Sequence, residues 1–333
     1  MFGKERRSIF RGERLGLLIA LAILAAVPLY IKDRAIVELV ILANIYAVYV
    51  ASWDILCGYT GQVNFGHALF VGGGAYAAAL LNFYFKLPPW ITIFLGGGVA
   101  AIFGLIIGTP CLRLRGPYFA LATFAAAAVP YGLTDVYWEV TGGLDGLYGI
   151  SPIWPTLTGK YYFSLLLTAA SCGLIYVGGR SNKGLILKSI REDEIGAMAS
   201  GINTTRYKLM TFIVSGFFAG LAGAFYSHNQ LHVGPETLSI NLSVLVIIMS
   251  VVGGIGTITG PICGAYLLTI FNEMLRQWEE LRLLIYTATV VLMLIFVPKG
   301  ILPALTEEIG RVFKKKKGGE IAYGRTVRGP GID

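Results

Sequence analysis

The chain has 333 residues, of which 55% are hydrophobic and 14% are charged. Soluble domains carry about a quarter charged residues, so this scarcity of charge excludes an ordinary soluble protein. The mean hydropathy is +0.68, and several apolar runs reach membrane-spanning length, about 20 residues. The net charge of +8 does not indicate nucleic-acid binding, because the basic residues flank the apolar runs. We therefore predict an all-α, polytopic membrane protein.

The basic N-terminal segment 1–14 precedes the first apolar run, which has no small-residue cleavage site at its end. That run is predicted to be a first span and not a removed signal peptide. Glycine interrupts the third and eighth runs, so whether 66–85 and 238–255 cross fully, or are short, broken or re-entrant, is left open. About ten spans are predicted in all: 15–31, 35–57, 66–85, 90–108, 117–134, 161–178, 209–228, 238–255, 260–275 and 283–298.

The distribution of Lys and Arg predicts the orientation of these spans. If the N-terminus is inside, the inner segments hold 21 of the 27 Lys and Arg residues. This asymmetry follows the positive-inside rule and places both termini in the cytoplasm of a multi-pass protein of the cell membrane. The chain then divides into a basic N-terminus (1–14), a transmembrane domain (15–298) and a basic tail (299–333), which is expected to contact anionic lipid.

The segment 180–208 is the one long polar interruption in the middle of the sequence. Ser189 is followed three residues later by Glu192, which is the capping-box spacing and predicts a helix that begins at Ser189. Gly201 is expected to end this helix in the left-handed conformation. The first turn would hold three acidic residues, which the helix dipole favours: Glu192, Asp193 and Glu194.

Apolar residues of the same segment fall roughly on one helix face. They are Ile190, Ala197 and Met198, extended by Ile195 and Ile202. A capped, amphipathic helix outside the membrane has two interpretations. It binds a partner protein, or it is a solvated connector that lies on the membrane surface.

The segment 135–160, outside on this orientation, is acidic and aromatic. Its aromatic residues and those that follow suit a membrane interface: Trp138, Trp154, Tyr161 and Tyr162. We predict an interfacial loop, with contact to a soluble external partner as the alternative.

Sequence motifs for catalysis do not occur in the chain. No G-x-x-x-x-G-K-S/T, G-x-S-x-G or H-E-x-x-H pattern is found, and the three histidines are dispersed. We predict that the chain is not an enzyme and binds no cofactor or metal directly. Glu38, Asp54 and Glu273 lie near span ends, where interhelical or interfacial polar contacts are favoured over a role in substrate or ion binding.

Glycine clusters mark two stretches, 58–76 and 252–261. Glycine lets membrane helices pack closely, and together with polar residues it also opens a helix so that backbone groups line a solute path. Both interpretations stay open. The candidate residues of a translocation path are Gln62, Asn64, Gly66, His67, Gly253, Gly254 and Gly256.

Six stretches together resemble the permease subunits of branched-chain amino acid ABC transporters. The resemblance is to the longer permease of the pair, which contains a Leu-Arg-Leu-Arg-Gly segment. The stretches are GYTGQVNFGHALFVGGGAYAAALL (58–81), CLRLRGPYFALATFA (111–125), TGGLDGLYGI (141–150), SIREDEIGAMASGINTTRYKLMTFIVSGFFAGLAGAFY (189–226), VVGGIGTITGPICGAYLL (251–268) and VPKGI (297–301).

This resemblance implies a subunit of a binding-protein-dependent importer. The expected partners are a second, different permease, two cytoplasmic ATPases that use ATP, an external solute-binding protein and membrane lipid. The helix in 180–208 would be the segment that couples to an ATPase, through Ser189, Ile190, Arg191, Glu192, Asp193, Glu194, Ile195, Met198 and Gly201. Urea, an amide, another amino acid or a sugar is the alternative cargo, and a stand-alone ion-coupled transporter or channel is the alternative class.

Overall fold

The computed structural model describes residues 16, 19–275, 278–297 and 300–304. The predicted basic N-terminus 1–14 lies outside these residues, and so does the predicted basic tail apart from 300–304. The helices are α1 (Ile19–Tyr30), α2 (Arg34–Thr60), α3 (His67–Phe85), α4 (Pro89–Cys111), α5 (Pro117–Val136), α6 (Trp138–Thr141), α7 (Leu157–Arg180), α8 (Asn182–Glu192), α9 (Glu194–Ala199), α10 (Thr204–Gln230), α11 (Ile240–Gly253), α12 (Thr259–Met274) and α13 (Glu279–Phe296).

The prediction of an all-α, polytopic membrane protein is confirmed. Within the described residues, six helices are long and apolar enough to cross a membrane: α2, α3, α4, α5, α7 and α10. Each remaining predicted span also falls on a helix, although α11 has only 14 residues. Of the two runs left open, 66–85 forms the continuous 19-residue helix α3, whereas 238–255 contains the short α11. The number of crossings and the orientation stay predictions.

In the core α3, α4 and α10 pack against one another, and the largely buried α2 packs against α7, α10, α11 and α12. Small residues set the spacing, because helices in lipid gain little from burying apolar surface and associate by close packing. Gly74 faces Gly220 so closely that a Cβ added at Gly74 would lie 2.6 Å from the Gly220 carbonyl carbon. Gly96 is held equally close to the carbonyl oxygen of Gly74. The close-packing interpretation of the glycines is therefore confirmed for this part of the 58–76 stretch.

The segment between α5 and α7 is ordered, and it pairs with the chain that follows α10. After α6 and a 3-10 turn (Gly143–Asp145), β1 (Leu147–Tyr148) runs antiparallel to β2 (His232–Val233). A second 3-10 turn, Pro235–Leu238, then leads into α11. The sequence did not predict this small sheet, because two-residue strands carry no periodic signal.

The aromatic residues of this region divide between surface and core. Trp138 and Trp154 are exposed, as expected for interfacial residues. Tyr161 is fully buried and its hydroxyl donates to the Leu24 carbonyl at 2.5 Å. The prediction of Tyr161 as an interfacial aromatic was wrong, because its ring faces α1 inside the bundle.

Candidate functional site

The polar segment 180–208 contains two helices and not one. α8 begins at Asn182 and ends at Glu192, Asp193 is extended (φ −151°), and α9 follows. The predicted cap at Ser189 was wrong: Ser189 lies in the last turn of α8 and its hydroxyl donates to the Ile186 carbonyl at 2.8 Å. A serine inside a helix can donate to the carbonyl three or four residues earlier, and it then does not cap a helix start.

Asp193 is the residue that caps a helix here. Its Oδ1 accepts from the Gly196 amide at 3.0 Å, at the start of α9. The acidic run therefore straddles the break, with Glu192 last in α8 and Glu194 first in α9. The prediction for Gly201 is confirmed, since Gly201 has φ +84° and the next amide, of Ile202, returns to the Ala197 carbonyl at 3.1 Å.

The break divides the apolar residues that the sequence placed on one face. Ile190 and Ala197 are buried against the bundle. Ile195 and Met198 point outward, with exposed fractions of 68% and 41%. Leu185 of α8 is also exposed. The helix pair thus packs inward with one set of side chains and presents a second apolar set outward.

Glu194 is engaged within the chain. Its carboxylate lies 2.6 Å from the Lys208 ammonium of α10, and the two side chains are 27% and 4% exposed. The Thr204 hydroxyl donates to the same carboxylate at 3.4 Å. This ion pair holds α9 against α10, and the sequence alone gave no signal for it.

Arg191 reaches in the opposite direction, toward the C-terminal end of α2. Its guanidinium donates to the Gly58 carbonyl. A Cβ added at Gly256 would lie 2.7 Å from Arg191 Nη1, so the guanidinium also lies against the turn between α11 and α12. One turn before Arg191 on α8, the Lys188 ammonium lies 4.7 Å from the centre of the Tyr59 ring.

Asp54 binds the turn 254–258 that joins α11 to α12. The side chain is fully buried, its Oδ1 accepts from the Gly256 amide at 2.7 Å, and its Oδ2 accepts from the Ile258 amide at 3.0 Å. The preferred interpretation of Asp54 as an interhelical polar contact is therefore confirmed. Glu38, at the other end of α2, is instead an exposed partner of Arg34 at 2.9 Å.

Four candidate path residues lie together in the connection from α2 to α3. Gln62, Asn64, Gly66 and His67 are all buried. The Asn64 side chain accepts from the Gly66 amide at 2.8 Å, and His67 Nε2 lies 3.2 Å from the Ser52 hydroxyl. Because these side chains are enclosed by the chain itself in this conformation, their role in a path stays a prediction.

The other three candidates, Gly253, Gly254 and Gly256, belong to the end of α11 and the following turn. Gly253 packs against the start of α12, where an added Cβ would lie 2.9 Å from Pro261 Cα. Gly254 and Gly256 have φ of +116° and +85°. This group meets α2 through Asp54 and Gly58.

His228 and His232, which are four residues apart, contact different residues and do not share a site. His228 lies 2.7 Å from the Thr92 hydroxyl and 2.8 Å from the Ser151 carbonyl. His232 stacks on Tyr148, with 4.3 Å between ring centres. Among the described residues, no three His, Cys, Asp or Glu side chains converge as metal ligands.

A bundle of apolar helices that carries a short exposed helix pair, braced against the bundle at two points, defines a multi-pass membrane protein. The chain belongs to the family described as branched-chain amino acid transport system / permease component, whose model matches residues 35–297.

Curated relatives agree with this assignment. The chain is 31% identical over 317 residues to the high-affinity branched-chain amino acid transport system permease protein LivM of Escherichia coli (strain K12), a match that covers 86% of this chain and 74% of the relative. It is 22% identical to the probable branched-chain amino acid transport permease protein LivH of Methanocaldococcus jannaschii, over 76% and 85% of the two chains.

Permeases named for another cargo match less of the chain. The fructose import permease protein FrcC of Rhizobium meliloti is 26% identical, over 60% of this chain and 61% of its own. No solved structure gives a significant match. The resemblance seen in the sequence is thus confirmed, and the chain is a permease component of an importer.

Proposed function

We propose that this permease passes branched-chain amino acids across the cell membrane as one subunit of an ATP-driven, binding-protein-dependent importer. The observation that carries the substrate class is the 31% identity, over 86% of the chain, to a permease named for branched-chain amino acids. The match to a fructose permease is shorter. A sugar cargo is therefore the weaker candidate.

The orientation we propose puts both termini, α8–α9 and the turn 254–258 on the cytoplasmic side. Arg191 of α8 binds Gly58 at the end of α2, and Asp54 binds the turn, so these elements lie at one end of the bundle. The β1–β2 sheet joins the segments that the charge pattern assigns to the external side. Both groupings support the positive-inside assignment.

We assign the ATPase contact to the outward side of α8–α9. Leu185, Ile195 and Met198 expose apolar side chains beside the polar residues of the segment, and exposed apolar groups rimmed by polar residues mark interaction sites. Glu192 is exposed and contributes charge at the same place. Two such ATPases and an external solute-binding protein complete the proposed assembly.

The second permease is proposed to cover part of α5. Most of its apolar side chains are exposed, among them Tyr118, Leu121 and Val129. Lipid or a neighbouring subunit covers such a face, and an importer of this kind has a permease pair.

A stand-alone ion-coupled transporter is disfavoured by the acidic side chains near the α2 ends. Both Asp54 oxygens accept backbone amides, and Glu38 pairs with Arg34. The deciding experiment is leucine uptake into proteoliposomes that hold the complete complex. Uptake is expected only with internal ATP and external binding protein, and ion-driven uptake by this chain alone would overturn the proposal.

Ile195→Asp is expected to reduce ATPase binding by about tenfold or more, because it places a charge at the centre of an apolar contact. The measurement is the amount of ATPase that copurifies with the permease in detergent. Leu144→Asp is the matched control, since Leu144 is equally exposed on the opposite side of the bundle. If the Ile195 variant copurified with as much ATPase as the wild type, this surface would not be the ATPase contact.

A further inference from the structure

We propose that Asp54 and Arg191 are positioning residues that join α8, the C-terminal end of α2 and the turn 254–258 into one rigid lever. The lever passes a displacement of α8 directly to α11 and α12. This inference rests on the proposed function, in which α8 and α9 receive motion from an ATPase.

The first joint is made by Arg191 with two glycines. Its guanidinium donates to the Gly58 carbonyl and lies against Gly256. The glycines themselves are in contact, because a Cβ added at Gly58 would lie 2.6 Å from the Gly256 amide nitrogen. A side chain at either position would displace the guanidinium or separate α2 from the turn. Three segments distant in sequence therefore meet without intervening space.

The second joint is Asp54, one helical turn before Gly58. A fully buried carboxylate is costly unless its hydrogen-bonding capacity is used, and here both oxygens bind amides of the same turn. Charge-assisted bonds of this kind are about twice as strong as neutral ones. Asp54 thus fixes the turn to α2 with two bonds whose geometry allows little sliding.

The turn 254–258 has a constrained backbone conformation. Gly254 and Gly256 have positive φ, and so does Ile258 (φ +64°), a β-branched residue for which this conformation is strained. Such a conformation persists only where the surroundings determine it, and costs of order 1–3 kcal/mol. Asp54 binds the Ile258 amide itself, while Gly300 packs on Gly254 from the other side.

The far end of the lever reaches the candidate path residues. Ser243 of α11 accepts from the Ala68 amide at 2.8 Å, at the first turn of α3. Ala68 follows His67 directly, so α11 contacts both the turn 254–258 and the polar connection between α2 and α3. A displacement received at Arg191 therefore has a continuous route of hydrogen bonds and packed backbone to His67.

The test is the number of leucine molecules transported per ATP hydrolysed by the complete complex in proteoliposomes. Arg191→Ala and Asp54→Asn are expected to lower this ratio by about tenfold while ATP hydrolysis continues. Glu38→Gln is the matched control, because Glu38 is a carboxylate on the same helix but is exposed at its other end. An unchanged ratio in the Arg191 variant would overturn the lever.

A disulfide between two exposed positions provides a second test, in which the strain of a side chain at Gly61 (φ +74°) is present in both redox states. A Cβ added at Gly61 would lie 4.0 Å from Arg191 Cβ, within the range that a disulfide spans. The Gly61→Cys/Arg191→Cys variant is made in a Cys263→Ser background. When the pair is reduced, ATP hydrolysis should proceed with little leucine transport, and when it is oxidised the ratio of leucine transported to ATP hydrolysed should recover. If oxidation blocks transport while ATP is still hydrolysed, the contact opens in each cycle and the rigid lever is wrong.

The outcomes separate this inference from the function on which it rests. If the wild-type complex shows no ATP-dependent leucine uptake, the proposed function fails. If the wild-type complex transports leucine and the variants transport as many leucine molecules per ATP as the wild type, only the lever fails.

Discussion

Glu194→Gln is expected to destabilise the protein more than Lys208→Met, although both substitutions break the same ion pair. Lys208 is 4% exposed and cannot regain water when its partner is removed, so Glu194→Gln leaves a buried, uncompensated charge. Breaking a buried pair in this way costs about 3 kcal/mol. Glu194 is 27% exposed, and after Lys208→Met it is expected to remain solvated and bonded to Thr204.

The midpoint of thermal unfolding in detergent measures this asymmetry. The double variant Glu194→Gln/Lys208→Met should recover much of the loss, because no charge is then left unpaired. Glu192→Gln is the control and is expected to change the free energy of unfolding by less than about 0.5 kcal/mol, as surface substitutions usually do. Equal losses in the two single variants would show that burial of Lys208 does not determine the effect.

Gly74→Ala is expected to destabilise the protein, whereas Gly98→Ala is not. The added methyl at Gly74 would meet the backbone of Gly220 and push α3 away from α10, which is expected to cost about 3 kcal/mol or more. An added methyl at Gly98 has nothing within 4 Å. There the better helix propensity of alanine is expected to leave stability unchanged or raise it by up to about 1 kcal/mol.

The two variants are compared by the yield of monodisperse protein and by the midpoint of thermal unfolding in detergent. Gly132→Ala repeats the control on α5, where an added methyl also meets nothing. Equal behaviour of the Gly74 and Gly98 variants would mean that α3 and α10 separate without penalty, which contradicts close packing as the source of cohesion between them.

The positions of the helices could be predicted from the sequence because apolar runs have the length that a bilayer requires. Gly201 could be predicted because a left-handed helix end favours glycine on local grounds alone. Ser189 could not be placed correctly, since capping signals recur within a few residues and the neighbouring Asp193 caps the shorter helix. The choice between them depends on which side chains of the segment meet the bundle.

The contacts that define the candidate site are long-range, and no local pattern predicts them. Arg191 and Gly58 are 133 residues apart, and Asp54 and Gly256 are 202 apart. The sequence identified the acidic and basic residues of the coupling segment but not that Glu194 turns inward to Lys208. Only the fold separates residues that brace the helix pair from residues that remain available to a partner.

The shortness of α11 has a consequence for permeation. Fourteen helical residues rise about 21 Å, whereas the hydrocarbon core of a bilayer is about 30 Å thick. The segments that flank α11 are the 3-10 turn Pro235–Leu238 and the irregular turn 254–258. Membranes tolerate irregular backbone where it is enclosed by protein or faces water. α11 alone therefore spans roughly two thirds of the hydrocarbon core, and protein or water must satisfy the backbone groups at both of its ends.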